Sequence, residues 1–357
     1  MLFEPFTART LMLANRIVMS PMTRSRADKH NVPNALMAEY YSQRAAAGLI
    51  VTEGTSPSPN GLGYPRIPGL FNVEQVRGWK LVTDAVHAKG GKIVVQLMHT
   101  GRVTNIKNLP VGAETIGPSV AVCPGEMFTD SDGMQPNSPP RPMNDQDIQN
   151  AIKEYATSAA LAMDAGFDGI ELHSANGYLI EQFLNPLVNL RTDEYGGSIA
   201  GRNRFAIEVV KAASAEIGAE RVGIRLSPYG NFNGTGAFAD VDEQYKTLVQ
   251  EFSRIRLLYV HVLDHSAMGA PPVPATIKQS LREAFDGPYI LAGGFDAASA
   301  EKALDAKQAD LIAFARSFLA NPDLVERMRI HAPLNSPDMQ TFYTPGAKGY
   351  TDYPALA

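Results

Sequence analysis

The sequence predicts an α/β fold, a single-domain (β/α)8 TIM barrel over residues 1–357 with extended loops at the C-terminal face. Two observations carry this. Short runs of β-branched and aliphatic residues alternate, eight times over, with stretches whose apolar residues recur at three and four, the pattern of repeated βα units. No Gly/Ser-rich linker divides the chain, and the G-x-G-x-x-G turn by which a doubly wound sheet would hold a dinucleotide is missing, so a closed barrel fits better than that open alternative.

In chain order the strands read RIVMSPM (16–22), LIVTEG (49–54), KIVVQLMH (92–99), GIELH (169–173), VGIRLSP (222–228), LLYVHVLD (257–264), PYILAGG (288–294) and LIAFARS (311–317). Segments of helical period lie between them, NAIKEYATSAALAMDAGF and GRNRFAIEVVKAASAEIG among them. Three connections are too long for simple turns: residues 55–72, 100–144 and 174–197, after strands two, three and four. All leave the carboxyl ends of strands, where barrel enzymes build their sites, so they are expected to rim a pocket. The tail NSPDMQTFYTPGAKGYTDYP, aromatic and rich in Gly and Pro, reads as an ordered cap.

Composition excludes several classes of function. With 45% hydrophobic and 19% charged residues, and no run approaching 18 apolar positions, nothing predicts a membrane span. The start, MLFEPFTARTLMLANR, lacks the basic and apolar regions of a secretory signal, which points to a cytoplasmic protein. One cysteine, Cys123, cannot form an internal disulfide, a cysteine-rich zinc site or an iron–sulfur cluster. A net charge of -5 gives no electrostatic reason to expect nucleic acid.

Polar residues at carboxyl strand ends converge on a barrel axis. Here they are Thr23 after strand one, Gln96 and His99 in strand three, His173 closing strand four, Arg225 in strand five, Gly293 and Gly294 after strand seven, and Arg316 in strand eight. Apolar neighbours on both sides bury Arg225, and a buried guanidinium is costly unless an anion or carboxylate meets it. Paired glycines let backbone N–H groups approach a ligand, and with Arg316 they suit a phosphate between the last two strands. A phosphate there, with Arg225 and Gln96 across the axis, outlines a flat anionic cofactor such as flavin mononucleotide (FMN). His173, Asn176 and Tyr178 fall close together: two neutral donors to polarise a carbonyl, and a hydroxyl with an unperturbed pKa of about 10 as proton donor. A metal site built on His99, Glu171 and His173 is the competing reading, in which the barrel is a flavin-free hydrolase or isomerase.

At these residues the chain resembles the Old Yellow Enzyme family of FMN-dependent ene-reductases. The likeness rests on NRIVMSPMTRSRA, MAEYYSQRAAAGLIVTEGT, VQLMHTGR, AGFDGIELHSANGYLIEQFL, RTDEYGGS with GRNRF, RVGIRLSP, ANPDLVERM and GYTDYP, in the family's order over nearly the whole chain. The resemblance implies an NAD(P)H-dependent reductase of α,β-unsaturated carbonyl compounds, imides or nitroalkenes, with tightly bound FMN reduced by NADPH or NADH and ping-pong kinetics. By the same resemblance Thr23 meets the flavin O4, Gln96 the pyrimidine edge and Arg225 the N1 and O2 side. Pro21, Met22 and Gly54 contact the ring, and Gly293, Gly294, Ala315 and Arg316 hold the phosphate. His173 and Asn176 bind the substrate oxygen, Tyr178 protonates Cα, and Tyr64, Tyr343 and Met98 wall the pocket. The resemblance implies small-molecule partners only, no metal, and a monomer or homodimer. Three positions depart from the family's habit: Met98 stands where tryptophan is frequent, Ala315 where glycine is usual and Gly54 where alanine is common. A pocket kept for flavin or phenol binding with turnover lost is the further alternative.

Overall fold

The computed structural model describes residues 1–356. Its centre is a closed barrel of eight parallel strands, β1 (Ile17–Met19), β2 (Leu49–Thr55), β3 (Ile93–Leu97), β4 (Gly169–Ser174), β5 (Val222–Leu226), β6 (Tyr259–Leu263), β7 (Tyr289–Ala292) and β8 (Leu311–Phe314), with sequence neighbours adjacent all the way round. Each lies inside or overlaps one of the predicted runs. Nearly every strand residue is buried, because helices cover the outer face while side chains fill the inner one. Six of the strands stop earlier at their carboxyl ends than the apolar runs suggest, whereas β2 and β4 each run one residue further. Residues past the last ladder bond turn into the rim, so Pro21, Met22 and Thr23 lie in a loop, and Arg316, expected in strand eight, begins a helix instead.

The helices are α1 (Ala35–Gln43), α2 (Val73–His87), α3 (Asp145–Asp164), α4 (Leu179–Leu184), α5 (Ile199–Ile217), α6 (Val241–Ile255), α7 (Ala275–Ala284), α8 (Ala297–Asp305), α9 (Arg316–Ala320) and α10 (Leu324–Arg329). Their starts follow from short polar side chains that accept otherwise orphaned N–H groups. Asn34, Asn72 and Ser198 cap α1, α2 and α5, and Asn144 with Asp147 and Asp296 with Ser299 form capping boxes on α3 and α8.

Two features were not foreseen. Strands Phe6–Ala8 and Leu11–Leu13 pair as an antiparallel hairpin. Ala8, Leu11 and Leu13 pack with Val18, Leu49, Val94, Leu258 and Leu311 at the amino ends of the barrel strands, so the hairpin plugs the end away from the rim. Within the long connection after β3, Glu126–Thr129 pairs antiparallel with Gly133–Pro136, giving a second hairpin over the barrel mouth.

The tail is ordered, as its composition predicts, and cations hold it. Arg24 donates to Gly349 O (2.7 Å) and Phe342 O (3.2 Å), and Arg26 to Phe342 O (2.7 Å) and Thr341 O (2.8 Å). Arg44 lies over the Tyr40 ring at 3.8 Å, Tyr40 stacks on Tyr350 at 4.0 Å, and Arg44 donates to Phe318 O and Leu319 O. Carbonyl dipoles and ring faces thus compensate buried cations, with Glu53 on β2 as the nearby carboxylate accepting from Arg24 N at 3.1 Å. Replacing Arg24 with Leu removes its bonds to Phe342, Gly349 and Tyr40 while leaving the carbonyls buried. Urea denaturation should show a loss of about 3 kcal/mol, and limited proteolysis should release the tail; an unchanged midpoint would refute the clamp.

Candidate active site

A belt of polar side chains crosses the barrel interior above the hydrophobic plug. Strand register places Gln96 beside Glu171, His173 beside Arg225, and Arg225 beside His261. Glu171 Oε1 accepts from Gln96 Nε2 at 2.8 Å, and its Oε2 lies 2.9 Å from His261 Nδ1; this second contact runs from β4 to β6, skips β5 and therefore lies inside the barrel. Burial alone would push the Glu171 carboxyl up, but His261, Arg225 and the Gln96 amide outweigh it and hold it below its ordinary value. Gln96, with its amide N–H engaged, is left to offer Oε1. Arg225 is buried, its Nε has no partner, and among the described residues no carboxylate forms an ion pair with it. Burial lowers its pKa, partly opposed by Glu171, yet the guanidinium stays a cation facing a site that lacks a matching anion.

The trio at the end of β4 is set by backbone geometry. Asn176 (φ 60) and Gly177 (φ 74) both adopt left-handed conformations, which swings the chain back over the barrel and starts α4 after Tyr178. A side chain at Gly177 would meet Phe232 O at 2.7 Å. His173 Nδ1 accepts from Ala175 N (3.2 Å), so its proton sits on Nε2, which finds no partner among the described residues. Burial first, then Arg225, His261 and His265, keeps this imidazole neutral, with its pKa well below the ordinary value. Asn176 binds Ser227 Oγ through its N–H (3.0 Å), Asn233 Nδ2 through its carbonyl (2.7 Å) and His265 Nε2 through Oδ1 (2.8 Å); only Nδ2 remains free. The Tyr178 ring meets His173 edge-on at 4.9 Å, and its hydroxyl lies 2.9 Å from that of Tyr64. Burial pushes Tyr178 up to about 12.

Above the belt opens a cavity of about 710 Å³, bordered by Thr23, Tyr64, Tyr178, Tyr343 and the hairpin at Met127 and Phe128. Arg66 ties its rim together, pairing with Asp130 of the hairpin and donating to Tyr343 O at 3.0 Å. Met98 is buried against Gly54: a Cβ there would meet the Met98 sulfur at 2.5 Å, so the missing side chain of Gly54 is what gives Met98 its place.

At the ends of β7 and β8, Gly293 (φ 136) and Gly294 (φ 70) take conformations that glycine favours, and a Cβ on Gly293 would meet Asp264 O at 2.4 Å. Arg316 donates to Ala267 O (3.1 Å), which brings the guanidinium and both glycines to the 264–267 loop. Ala315 has φ -105, outside the left-handed region that favours glycine. A backbone cradle with an exposed cation fits a phosphate, and the unpaired Arg225 with the free Gln96 Oε1 fits the flat anionic end of FMN.

His99 does not join the belt. Its ring lies against Gly61, its Nδ1 accepts from Gly101 N (3.0 Å), and its main-chain N–H donates to Tyr155 on α3. Among the described residues no group of three His, Cys, Asp or Glu side chains stands where it could hold a metal ion, so the set His99, Glu171 and His173 is not assembled. Three residues escaped the sequence reading, and the first, His261, lies within strand six between Val260 and Val262, as Arg225 lies between apolar neighbours in strand five. His265 directly follows the predicted strand six, one residue beyond the closing position that singled out His173. Glu181 lies inside an apolar helical run with no outward signal. It accepts from Gly177 N (2.6 Å), Ser227 Oγ (2.8 Å) and Tyr245 OH (3.1 Å) and so fixes the Asn176 turn.

Burial raises the Glu181 carboxyl from 4.5 to about 7, so between these values the folded state binds more protons than the unfolded one. Its contribution is full below pH 4.5 and is lost as pH rises through about 7. The stability of the native protein relative to E181Q should therefore fall by about 3 kcal/mol over that window. Urea denaturation at a series of pH values checks this, and a pH-independent difference would refute it.

Comparison with known proteins agrees with this geometry. The model of the NADH:flavin oxidoreductase / NADH oxidase family matches residues 1–335. 12-Oxophytodienoate reductase 1 of Oryza sativa subsp. japonica is 41% identical over 361 residues, 99% of this chain and 93% of that protein. Morphinone reductase in complex with tetrahydroNAD superposes with a TM-score of 0.95 at 42% identity, covering 100% of this chain and 98% of that one. The old yellow enzyme homologue from Zymomonas mobilis gives 0.96 at 37%, covering 99% of both chains. With its barrel, its polar belt and these relatives spanning it almost end to end, the chain belongs to the NADH:flavin oxidoreductase / NADH oxidase family and is a flavin oxidoreductase of the old yellow enzyme type.

Proposed function

We propose that the protein is an NAD(P)H-dependent ene-reductase that holds FMN and reduces activated C=C bonds of α,β-unsaturated carbonyl compounds, imides or nitroalkenes. One observation carries this reading. The N–H donors of His173 and Asn176 are left free beside a neutral tyrosine hydroxyl that borders a cavity of about 710 Å³.

Gln96 Oε1, Arg225 and Thr23 would hold the flavin ring by its polar edge, Pro21, Met22 and Gly54 its faces, and Gly293, Gly294, Ala315 and Arg316 its phosphate. The chemistry FMN supplies when bound is hydride exchange, from a nicotinamide and on to Cβ of the substrate. His173 Nε2 and Asn176 Nδ2 grip the activating oxygen and strengthen their hold as it gains enolate or nitronate charge, each contributing about 3 kcal/mol. Tyr178 gives its proton to Cα, and the Tyr64 hydroxyl at 2.9 Å supports it. Tyr343 and Met98 shape the walls. The described residues form one barrel and no separate dinucleotide-binding fold, so nicotinamide and oxidant take turns in one cavity, which gives ping-pong kinetics. Relatives named as reductases of 12-oxophytodienoate and of morphinone, one of them bound to tetrahydroNAD, support a nicotinamide-driven reduction of this kind.

The purified protein should be yellow with one FMN per chain, bleach anaerobically on addition of NADPH or NADH, and be reoxidised by cyclohexenone. A colourless protein that takes up no FMN on reconstitution would end the proposal. Y178F should keep FMN and fold but lower enone turnover by about 10²-fold or more. Because Tyr178 ionises only near 12 and His173 stays neutral, the oxidative half-reaction should vary little from about pH 6 to about pH 10; a break near 6.5 in stopped-flow rates would contradict the assignment of His173.

A further inference from the structure

We infer that His265 is a positioning residue for the substrate oxygen, fixing the Asn176 amide so that Nδ2, and not Oδ1, faces the reacting group. The inference rests on the reading of Asn176 as substrate-binding and extends it to a residue outside the cavity.

An asparagine amide has two ends of nearly equal shape and opposite hydrogen-bonding sense. Turned one way it donates to a developing anion; turned the other it opposes that anion with a carbonyl dipole. The backbone of Asn176 is pinned at both polar atoms by Ser227 and Asn233, but neither bond chooses between the two amide orientations. His265 does. Its Nε2 stands 2.8 Å from Asn176 Oδ1, the one polar contact its ring makes. Nδ1 is buried without a partner, so a proton placed there would be an orphaned donor, whereas a proton on Nε2 is satisfied by Oδ1. Phe232 covers the ring at 4.3 Å and holds its plane.

The surroundings keep this arrangement. Asp264, the adjacent carboxylate, is taken by Lys278 (3.0 Å) and by Ser266 N (2.9 Å). Burial first, then Arg225, with Asp264 opposing, brings His265 down to about 4, so at neutral pH the ring carries one proton only. The result is a site that accepts a bare oxygen, as in a carbonyl, a nitro group or a phenolate, and disfavours a ligand that itself donates.

The test reads ionisation of a bound phenol, which two well-aimed donors favour and which does not depend on turnover. Flavin-loaded wild type, N176A, H265F, H265Q and the N176A/H265F double variant are titrated with p-hydroxybenzaldehyde over a range of pH, following phenolate absorption, with FMN content and Tm as controls. N176A should raise the ionisation midpoint of the bound phenol by about one unit. H265F, which keeps an aromatic ring and loses the donor, should give at least half that shift. H265Q, whose amide nitrogen reaches the place of Nε2, should restore the wild-type midpoint, and the double variant should match N176A, because the ring acts only through the amide. A wild-type midpoint in H265F beside a shifted N176A overturns the role of His265 alone, and so does a double variant shifted beyond N176A. An unshifted N176A overturns the reading of Asn176 itself. Should H265F not fold, H265M, also without a donor, takes its place.

Discussion

The barrel interior holds a buried guanidinium whose carboxylate neighbour, Glu171, is otherwise engaged. Glu171 spends its two oxygens on Gln96 and His261, so the positive charge of Arg225 is felt by the whole belt. That field helps keep His173 and His265 neutral, and neutral imidazoles have one donor and one acceptor each. Which nitrogen carries the proton is then decided by the partner each ring finds: in His173 Ala175 N donates to Nδ1 and leaves the proton on Nε2, and in His265 the acceptor Asn176 Oδ1 draws the proton to Nε2. A protonated belt would lose this directionality. The same unmet charge is the reason an anionic, planar group fits the axis.

Around this belt the long loops do separate work. The turn at Asn176 and Gly177 aims two donors and a hydroxyl, held from behind by the buried Glu181 carboxyl. The hairpin in the connection after β3 and the tail at Tyr343 meet across Arg66, so the mouth is bounded by two segments far apart in sequence that share one cation. Behind the tail, Arg24, Arg26 and Arg44 bind carbonyls instead of carboxylates, which makes a rigid support without a dense cluster of anions. Gly54 and Met98 show the same economy of space: the missing methyl of one makes room for the thioether of the other.

Much of this was legible in the chain because the period of hydrophobic residues and the position of polar ones at strand ends are local properties. Runs such as LIVTEG and VGIRLSP announce fully buried parallel strands, and a polar residue closing such a run, as His173 does, or set within it, as Arg225 is, has nowhere to point but the axis or the rim. His99 met the same rule and broke it, since it stands past the last ladder bond of β3, where the chain has already left the barrel direction. Arg316 slipped from strand to helix for a similar reason. The hairpin at Phe6–Leu13 carried no signal that it would fold under the barrel, because its partners are the amino ends of five separate strands.

The sequence by itself determined the eight βα units, the rim they would build and the residue types that gather there, because side-chain alternation and burial follow from local spacing. Only the tertiary structure decided which polar atoms remain free once neighbours have taken their share: that Gln96 offers its oxygen, that His173 donates from Nε2, that Asn176 is held by His265 and that Arg225 has no ion-pair partner among the described residues. Those are properties of pairs brought together from distant strands, and a hydrogen bond is settled by where its second atom lies.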